Sequence, residues 1–308
     1  MQYGKIAGIN APISRLVMGT MVCNTNSQEL TDELLDAFID AGGNCFDTAH
    51  IYNGGQSEKA LGAWIKSRNN RDKVVILGKG AHPGATSKVN KTGIEGDISE
   101  SLERLQTDKM DLYLLHRDDL NTPIAEIVDT LNKAKAAGRI LAFGGSNWTT
   151  ARIDEANAYA AAHSLTGFVA SSPHLGLAHV NEAMWGGCHA ADEADKEWHK
   201  THQFPLFPWS SQSSGFFTGA FKPDDLSNKD VVRVYYNEGN WERLRRAAEL
   251  GEKKGATAHQ VALAYVLAQP FPIFPLIGPR SVKELNDSLP ALNLNLSEEE
   301  IRWLNLEA

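Results

Sequence analysis

The chain has 308 residues, 42% hydrophobic and 22% charged, which suits one large α/β barrel or two ordinary domains and excludes a disordered chain. Thirty Lys and Arg against 38 Asp and Glu give a formal charge of −8, and no basic cluster offers a track for a phosphate backbone, so no nucleic-acid partner is expected. No run reaches the roughly 18 apolar residues that a membrane span needs, and the three scattered cysteines, Cys23, Cys45 and Cys188, point to a reducing cytoplasm rather than a disulfide framework.

In YGKIAGINAPIS, Gly8-Ile9-Asn10 separates two short runs and reads as a hairpin that would plug the floor of a barrel. The opening MQYGKIAGIN has neither a basic start nor an apolar run, so no leader or anchor is expected. Strand-like runs then follow at 15 to 20, 44 to 48, 73 to 79, 110 to 116, 140 to 146, 166 to 172, 204 to 210 and 271 to 278. Helical sequence lies between them. QELTDELLDAFIDAG follows the first strand; Ile98, Leu102 and Leu105, and then Ile124, Ile127, Val128 and Leu131, recur at the spacing of one buried helix face. Eight strands, each followed by a helix, predict parallel βαβ units closed into a single (β/α)8 TIM barrel with an N-terminal β-hairpin, one domain over residues 1–308. Two segments, 176 to 192 and 212 to 240, exceed ordinary loops and follow strand ends where a barrel keeps its active site.

Polar residues sit at those strand ends: Asp47, Lys79, His116, Ser146 with Asn147, Ser172, Ser210 with Ser211, and Arg280 after the last strand. An acid, a lysine and a histidine ending consecutive apolar strands face one another, and buried charges persist only when paired or hydrogen-bonded. Tyr52, in the loop FDTAHIYNGG, reaches the same mouth. The chemistry is that of carbonyl reduction: a tyrosine protonated at neutral pH donates to a developing alkoxide, Lys79 lowers its pKa, Asp47 holds Lys79, and His116 polarises the carbonyl.

Each residue also has a plain structural reading. Asp47 and Lys79 alone would be an ion pair, His116 a satisfied core histidine, and Cys45 core packing. Gly54-Gly55 reads as a turn, since no GxGxxG or GxxxxGK[ST] pattern follows a strand. Cys188, His189, His199 and His202 are too few and too scattered for structural zinc, so no metal is expected. Trp148, Trp185, Trp209, Tyr235 and Tyr236 are equally pocket or lid.

FDTAHIYNGGQSEKALG, VVILGKG, DLYLLHRDD and GGSNW resemble the aldo-keto reductase superfamily over nearly the whole chain. The resemblance implies a catalytic tetrad of Asp47, Tyr52, Lys79 and His116, with Ser146 and Asn147 holding a nicotinamide amide. It also implies cofactor contacts at Gly19, Thr20 and Met21, and at Ser172. PWSSQSSGFFTG places Trp209, Ser210, Ser211, Gln212 and Gly215 along a pyrophosphate; IGPRSVKELNDSL places Gly278, Arg280, Ser281, Glu284 and Ser288 at an adenosine phosphate. Ser281 with Glu284 makes a capping-box pattern beside Arg280, an anion site whose guanidinium fork favours NADP over NAD. The chain departs from the family pattern in SSPHLGL, where Ser172 stands for a glutamine and Leu175 for a stacking aromatic; His174 or Trp209 would take that ring. Glu284 and Ser288 stand where relatives often have Gln and Asn.

The expected activity is hydride transfer between NADPH and an aldehyde or ketone, or the matching alcohol. His50, His174 and Arg117, if they enter the pocket, would suit a sugar-like substrate. Two rivals remain: a regulatory, redox-sensing barrel subunit with slow turnover, against which the absence of a long N-terminal segment argues, and a Schiff-base aldolase using Lys79, against which Tyr52 and Ser146-Asn147 argue.

Overall fold

A computed structural model describes residues 1–307. Strands β1 (Tyr3–Ile6) and β2 (Ile9–Ser14) pair antiparallel with Ile6 opposite Ile9. The turn is therefore Ala7-Gly8, with Gly8 at φ 83°, and Ile9 and Asn10 belong to the second strand rather than to the turn. Glycine takes the left-handed conformation of such a tight turn without a steric penalty.

Strands and helices then alternate: β3 (Val17–Gly19), α1 (Gln28–Asp40), β4 (Cys45–Asp47), α2 (Gln56–Arg68), β5 (Val75–Gly80), α3 (Lys91–Leu105), β6 (Met110–Leu115), α4 (Ile124–Ala136), β7 (Ile140–Ser146), α5 (Thr150–Ala162), β8 (Ser171–Ser172) and α6 (Glu193–His202). The segment expected as a long loop after residue 212 contains α7 (Lys229–Tyr235). It leads into α8 (Glu238–Lys254) and α9 (Ala258–Leu267), followed by β9 (Leu276–Ile277), α10 (Val282–Ser288) and α11 (Glu298–Leu304).

Seven strands form one parallel sheet in the order β8-β7-β6-β5-β4-β3-β9. The strand expected at 204 to 210 is instead three single parallel bridges, Leu206 to Ser171, Leu206 to Ile273 and Trp209 to His174. Prolines explain the difference. Pro205 and Pro208 on this segment, and Pro272 and Pro275 on the next, have no N–H to give, so a continuous ladder breaks. Their carbonyls still accept, from Ser171 N to Pro205 at 3.0 Å, from Leu206 N to Pro272 at 2.9 Å and from Leu276 N to Pro208 at 3.0 Å. Both edges of the curled sheet are thus joined through residues 204 to 208. The expected strands at 166 to 172 and 271 to 278, which flank this segment, shorten to β8 and β9.

Side chains on a strand alternate between faces, and the apolar clusters sort accordingly. Val17, Cys45, Val75, Leu77, Leu112, Leu114, Ala142 and Phe274 pack inside the curl. Ile76, Tyr113, Leu115 and Phe143 pack outward, beneath helices such as α4, which buries Ile124, Ile127, Val128 and Leu131. The hairpin supplies Ile6, Ile9 and Ile13 to the inner cluster, as a plug would. Close approach also matters at Gly144, where a Cβ would lie 2.1 Å from the Ala170 carbonyl oxygen. The inward parity of Val17, Cys45, Leu77, Leu114 and Gly144 carries on, two residues later, to Gly19, Asp47, Lys79, His116 and Ser146. That register, set by the core, aims five polar or small positions at one mouth.

Ile13 is fully buried in the inner cluster. We expect Ile13→Ala to lower the unfolding free energy by about 2–5 kcal/mol, measured by urea unfolding followed through tryptophan fluorescence. A loss below about 1 kcal/mol would mean that the hairpin does not seal the interior.

Candidate active site

The strand ends open into a cavity of about 1380 Å³. At its inner end lie Asp47, Tyr52, Lys79 and His116. The Lys79 Nζ pairs with Asp47 Oδ1, both side chains buried, and sits 5.2 Å from the centre of the Tyr52 ring. The Tyr52 ring meets His116 edge-on at 5.8 Å, and His82 meets the other side of the cluster, 5.0 Å from His116. Tyr52 reaches this position because Asn53, Gly54 and Gly55 all take positive φ (49°, 60° and 87°). Asn53 Nδ2 ties the loop to the end of β3, donating to the Met21 carbonyl at 2.6 Å. The Gly54-Gly55 pair is a turn, and a Cβ at Gly55 would strike the Arg104 guanidinium at 2.7 Å.

Electrostatics divide the cluster. Burial works to lower the Lys79 pKa, but Asp47 and Tyr52 outweigh it and hold the ammonium above its usual range. Burial pushes the Asp47 carboxyl up against the pull of Lys79. Burial also raises the Tyr52 phenol, and Lys79 only partly offsets that; the net direction is opposite to the expected lowering, because desolvation penalises the phenolate more than one neighbouring cation stabilises it. Burial, with Lys79, Arg117 and His82, drives His116 well below the ordinary histidine value, so the imidazole is neutral. Its Nδ1 is sealed without a partner. A Schiff-base lysine must present a free amine, and the Asp47 partner keeps Lys79 protonated.

The other expected positions separate into two groups. Gly19, Met21, Ser146, Asn147, Trp209, Ser210, Gln212, Gly215, Gly278, Arg280, Glu284 and Ser288 all line the cavity. Thr20, Ser172, Ser211 and Ser281 do not. Thr20 Oγ1 donates to the Asp47 carbonyl at 2.9 Å, and Ser211 Oγ donates to the Leu276 carbonyl at 2.6 Å. Ser172 accepts from Ser146 Oγ at 2.9 Å through its backbone oxygen, while its own hydroxyl is sealed and unpartnered. Ser281 caps α10, accepting from Glu284 N. The Glu284 carboxylate does not return the bond to Ser281; it takes the Arg280 backbone N–H and guanidinium, both at 2.8 Å, so the expected capping box is only half formed.

Asn147 is heavily engaged. Its amide donates to the His116 carbonyl at 3.2 Å and Ser146 Oγ at 3.1 Å, and its oxygen accepts from Trp209 Nε1 at 3.0 Å. Trp209, so anchored, faces Trp185 across 5.7 Å at 32°. The segment beyond it holds Ser210, Ser213, Ser214 and Gly215 in the left-handed region (φ 51°, 49°, 52° and 81°), strain of the kind that collects at functional sites. Gln212 Nε2 donates to His259 Nε2 at 2.7 Å and Ser288 Oγ at 2.9 Å.

Of the five aromatics expected as pocket or lid, only Trp185 and Trp209 line the cavity. Trp148 is buried, donating to the Arg117 carbonyl at 3.1 Å, and Tyr236 donates to the Asp225 carbonyl at 3.0 Å. Tyr235 is buried against His174, whose Nε2 lies 2.9 Å from its hydroxyl. His174 therefore turns away from the mouth, and so does His50, 2.8 Å from Glu100; Arg117 alone of the three polar candidates lines it. Leu175 packs in a separate apolar cluster. His189 pairs with Asp195 at 2.7 Å and His199 bonds the Phe204 carbonyl at 2.8 Å. Sequence reasoning missed His82, Cys188, His259 and Gln260, which also line the cavity. They lie beyond the strand ends, on loops or a helix start, where no alternation marks their direction.

The sequence model of the aldo/keto reductase family matches residues 15–305. The chain is 31% identical to a norsolorinic acid reductase of Emericella nidulans, over 96% of this chain and 78% of that protein. It is 29% identical to a probable aryl-alcohol dehydrogenase of Saccharomyces cerevisiae, over 93% and 88%. A solved structure of a thermostable aldo-keto reductase in complex with the inhibitor epalrestat superimposes with a TM-score of 0.77 at 23% identity, covering 100% of both chains; at that identity it speaks for the fold.

The buried pair gives a direct test. We expect Lys79→Met, which strands the Asp47 charge, to cost about 3–5 kcal/mol of stability at pH 7. Asp47 already has a raised pKa, so the deficit shrinks as the pH falls and the carboxyl takes a proton. Urea unfolding of wild type and variant between pH 5 and 8 measures it; a pH-independent deficit would contradict this account.

Proposed function

Because the chain belongs to the aldo/keto reductase family and is an NAD(P)H-dependent oxidoreductase, we propose that it is a one-domain (β/α)8 barrel that reduces aldehydes or ketones with NADPH, or oxidises the matching alcohols, with Tyr52 as the acid. The carrying observation is the cluster of buried Asp47, Lys79 and neutral His116 with half-buried Tyr52 at the inner end of a long cavity.

The cavity fits a dinucleotide with a substrate beside it, being larger than the roughly 300–1000 Å³ of drug-sized sites. Ser146 and Asn147 would hold the nicotinamide amide, Trp209 would cover its ring, and the left-handed run from Ser210 to Gly215 would turn backbone N–H groups toward the pyrophosphate. Gly278, Arg280, Glu284 and Ser288 would hold the adenosine end. Arg280, with its side chain 77% exposed at the rim, is the fork for a 2′-phosphate. Reduced nicotinamide, when bound, supplies the hydride. Tyr52 stays protonated through the neutral range and gives its proton to the carbonyl oxygen as charge develops there. The Lys79 ammonium stabilises the phenolate left behind, and Asp47 holds that ammonium in place. His116 donates from Nε2 to the same oxygen, orienting it.

The relatives' names, a norsolorinic acid reductase and an aryl-alcohol dehydrogenase, together with Trp185 and Trp209 at the mouth, favour aromatic carbonyl compounds. A sugar-like substrate has less support, since His50 and His174 turn away from the cavity.

The test is steady-state consumption of NADPH and NADH with a reactive aromatic aldehyde. We expect a preference for NADPH and a fall in kcat of about 100-fold or more in Tyr52→Phe; failure to consume or bind either cofactor would overturn the reading. Glu284 occupies the Arg280 guanidinium. Glu284→Gln should therefore free it and raise the ratio of kcat/KM for NADPH over NADH by about 5- to 10-fold, roughly the 1 kcal/mol of a solvent-exposed contact. An unchanged ratio would remove Arg280 from phosphate recognition.

A further inference from the structure

Arg117 is a cavity cation that makes no contact with substrate or cofactor in the mechanism above. It follows His116 at the end of β6, is 6% exposed and lines the cavity. Its Nε donates to the Gly186 carbonyl at 3.3 Å and its Nη1 to the His116 carbonyl at 2.8 Å. Nη2 makes no hydrogen bond among the described residues, yet it is not one of the sealed unpartnered atoms, so it opens to the cavity. The nearest acids in sequence are committed elsewhere: Asp118 to Arg152 at 3.2 Å and Asp119 to Asn121 at 3.0 Å. The other Lys and Arg side chains lining the cavity are Lys79 and Arg280, and each has its own carboxylate.

A guanidinium taken out of water without a counter-ion is costly, and a ligand that brings one offsets that cost. The charge stands near the reacting groups, since it helps to depress His116 and works against the rise of the Tyr52 phenol. Over it lies the loop carrying Trp185 and Gly186, where a Cβ at Gly187 would come within 3.3 Å of Arg117 Cδ. One unpaired cation with a single uncommitted nitrogen matches a monoanion such as a carboxylate better than a phosphate dianion.

We propose that the substrate carries a carboxylate held by Arg117, and an aryl body against the indole of Trp185, which together present its carbonyl to Tyr52 and His116. This rests on the reductase reading and narrows it to carbonyl compounds bearing an acid group.

Two measurements on wild type, Arg117→Met and Arg117→Lys test it. The first needs no turnover: quenching of tryptophan fluorescence by benzoate, benzamide and phenyl phosphate. Benzoate should bind wild type about 10- to 100-fold more tightly than benzamide, the size of one charge-assisted contact. That advantage should vanish in Arg117→Met and partly return in Arg117→Lys. The second is the ratio of kcat/KM for 4-carboxybenzaldehyde to that for its methyl ester. It should exceed about 10 in wild type and fall toward one in Arg117→Met, chiefly through KM. Equal binding of benzoate and benzamide to wild type, or a ratio unmoved by Arg117→Met, overturns the proposal; tighter binding of phenyl phosphate than of benzoate overturns the carboxylate assignment. If wild type reduces no aldehyde yet binds benzoate through Arg117, the anion site stands and the reductase reading falls.

Discussion

The pairing of Lys79 with Asp47 is the constraint on which the rest of the site depends. Neither charge survives inside an apolar sheet alone, since a buried ion without a partner costs several kcal/mol. Each therefore requires the other, and together they require that β4 and β5 lie side by side with Asp47 and Lys79 on the inner face. The observed register supplies this, placing Asp47 opposite Leu77 and Lys79 opposite Leu114. Tyr52 and His116 complete the cluster around the pair. The plug and the alternating aliphatic layers below do not touch the chemistry. They keep water out from beneath, which makes the low-dielectric pair meaningful.

From that pair the electrostatic character of the cavity follows. Burial, with the cations of Lys79 and Arg117 beside it, keeps His116 neutral. Burial keeps the phenol protonated while Lys79 stands ready for the charge that proton loss would create. At the opposite end the sign pattern repeats on the surface, where Glu284 clasps Arg280. There the charges are solvated and the pairing is weak, so the clasp can be broken at small cost. The inner pair is structural in its permanence; the outer one is adjustable.

The long segments after β8 and after residue 212 supply the walls. Trp185 and Cys188 come from the first, Gly215 and Phe217 from the second. Trp209 links them to the floor through its bond to Asn147. Asn147 in turn holds the His116 carbonyl and, through its oxygen, the His189 backbone N–H at 3.2 Å. One asparagine at φ 60° thus couples the end of β6, the wall loop and the indole that faces the cavity.

Much of this was legible in the sequence, because alternation in a strand is a local property that fixes direction. Once Cys45, Leu77 and Leu114 are core, Asp47, Lys79 and His116 share their face by parity, while Tyr52 is brought to them by the turn at Asn53 to Gly55. The resemblance to a known family added the cofactor positions, most of which line the cavity. The sequence left open whatever depends on several contacts at once. Proline spacing turned an expected strand into isolated bridges, and a hairpin turn moved by one residue. His174 and His50 found partners outside the mouth. The sign of the Tyr52 shift depended on how much burial opposed how much charge, and the freedom of Arg117 on where Asp118 went. Residue type and period determine which way a side chain points; only the packed tertiary structure decides which partner reaches it first.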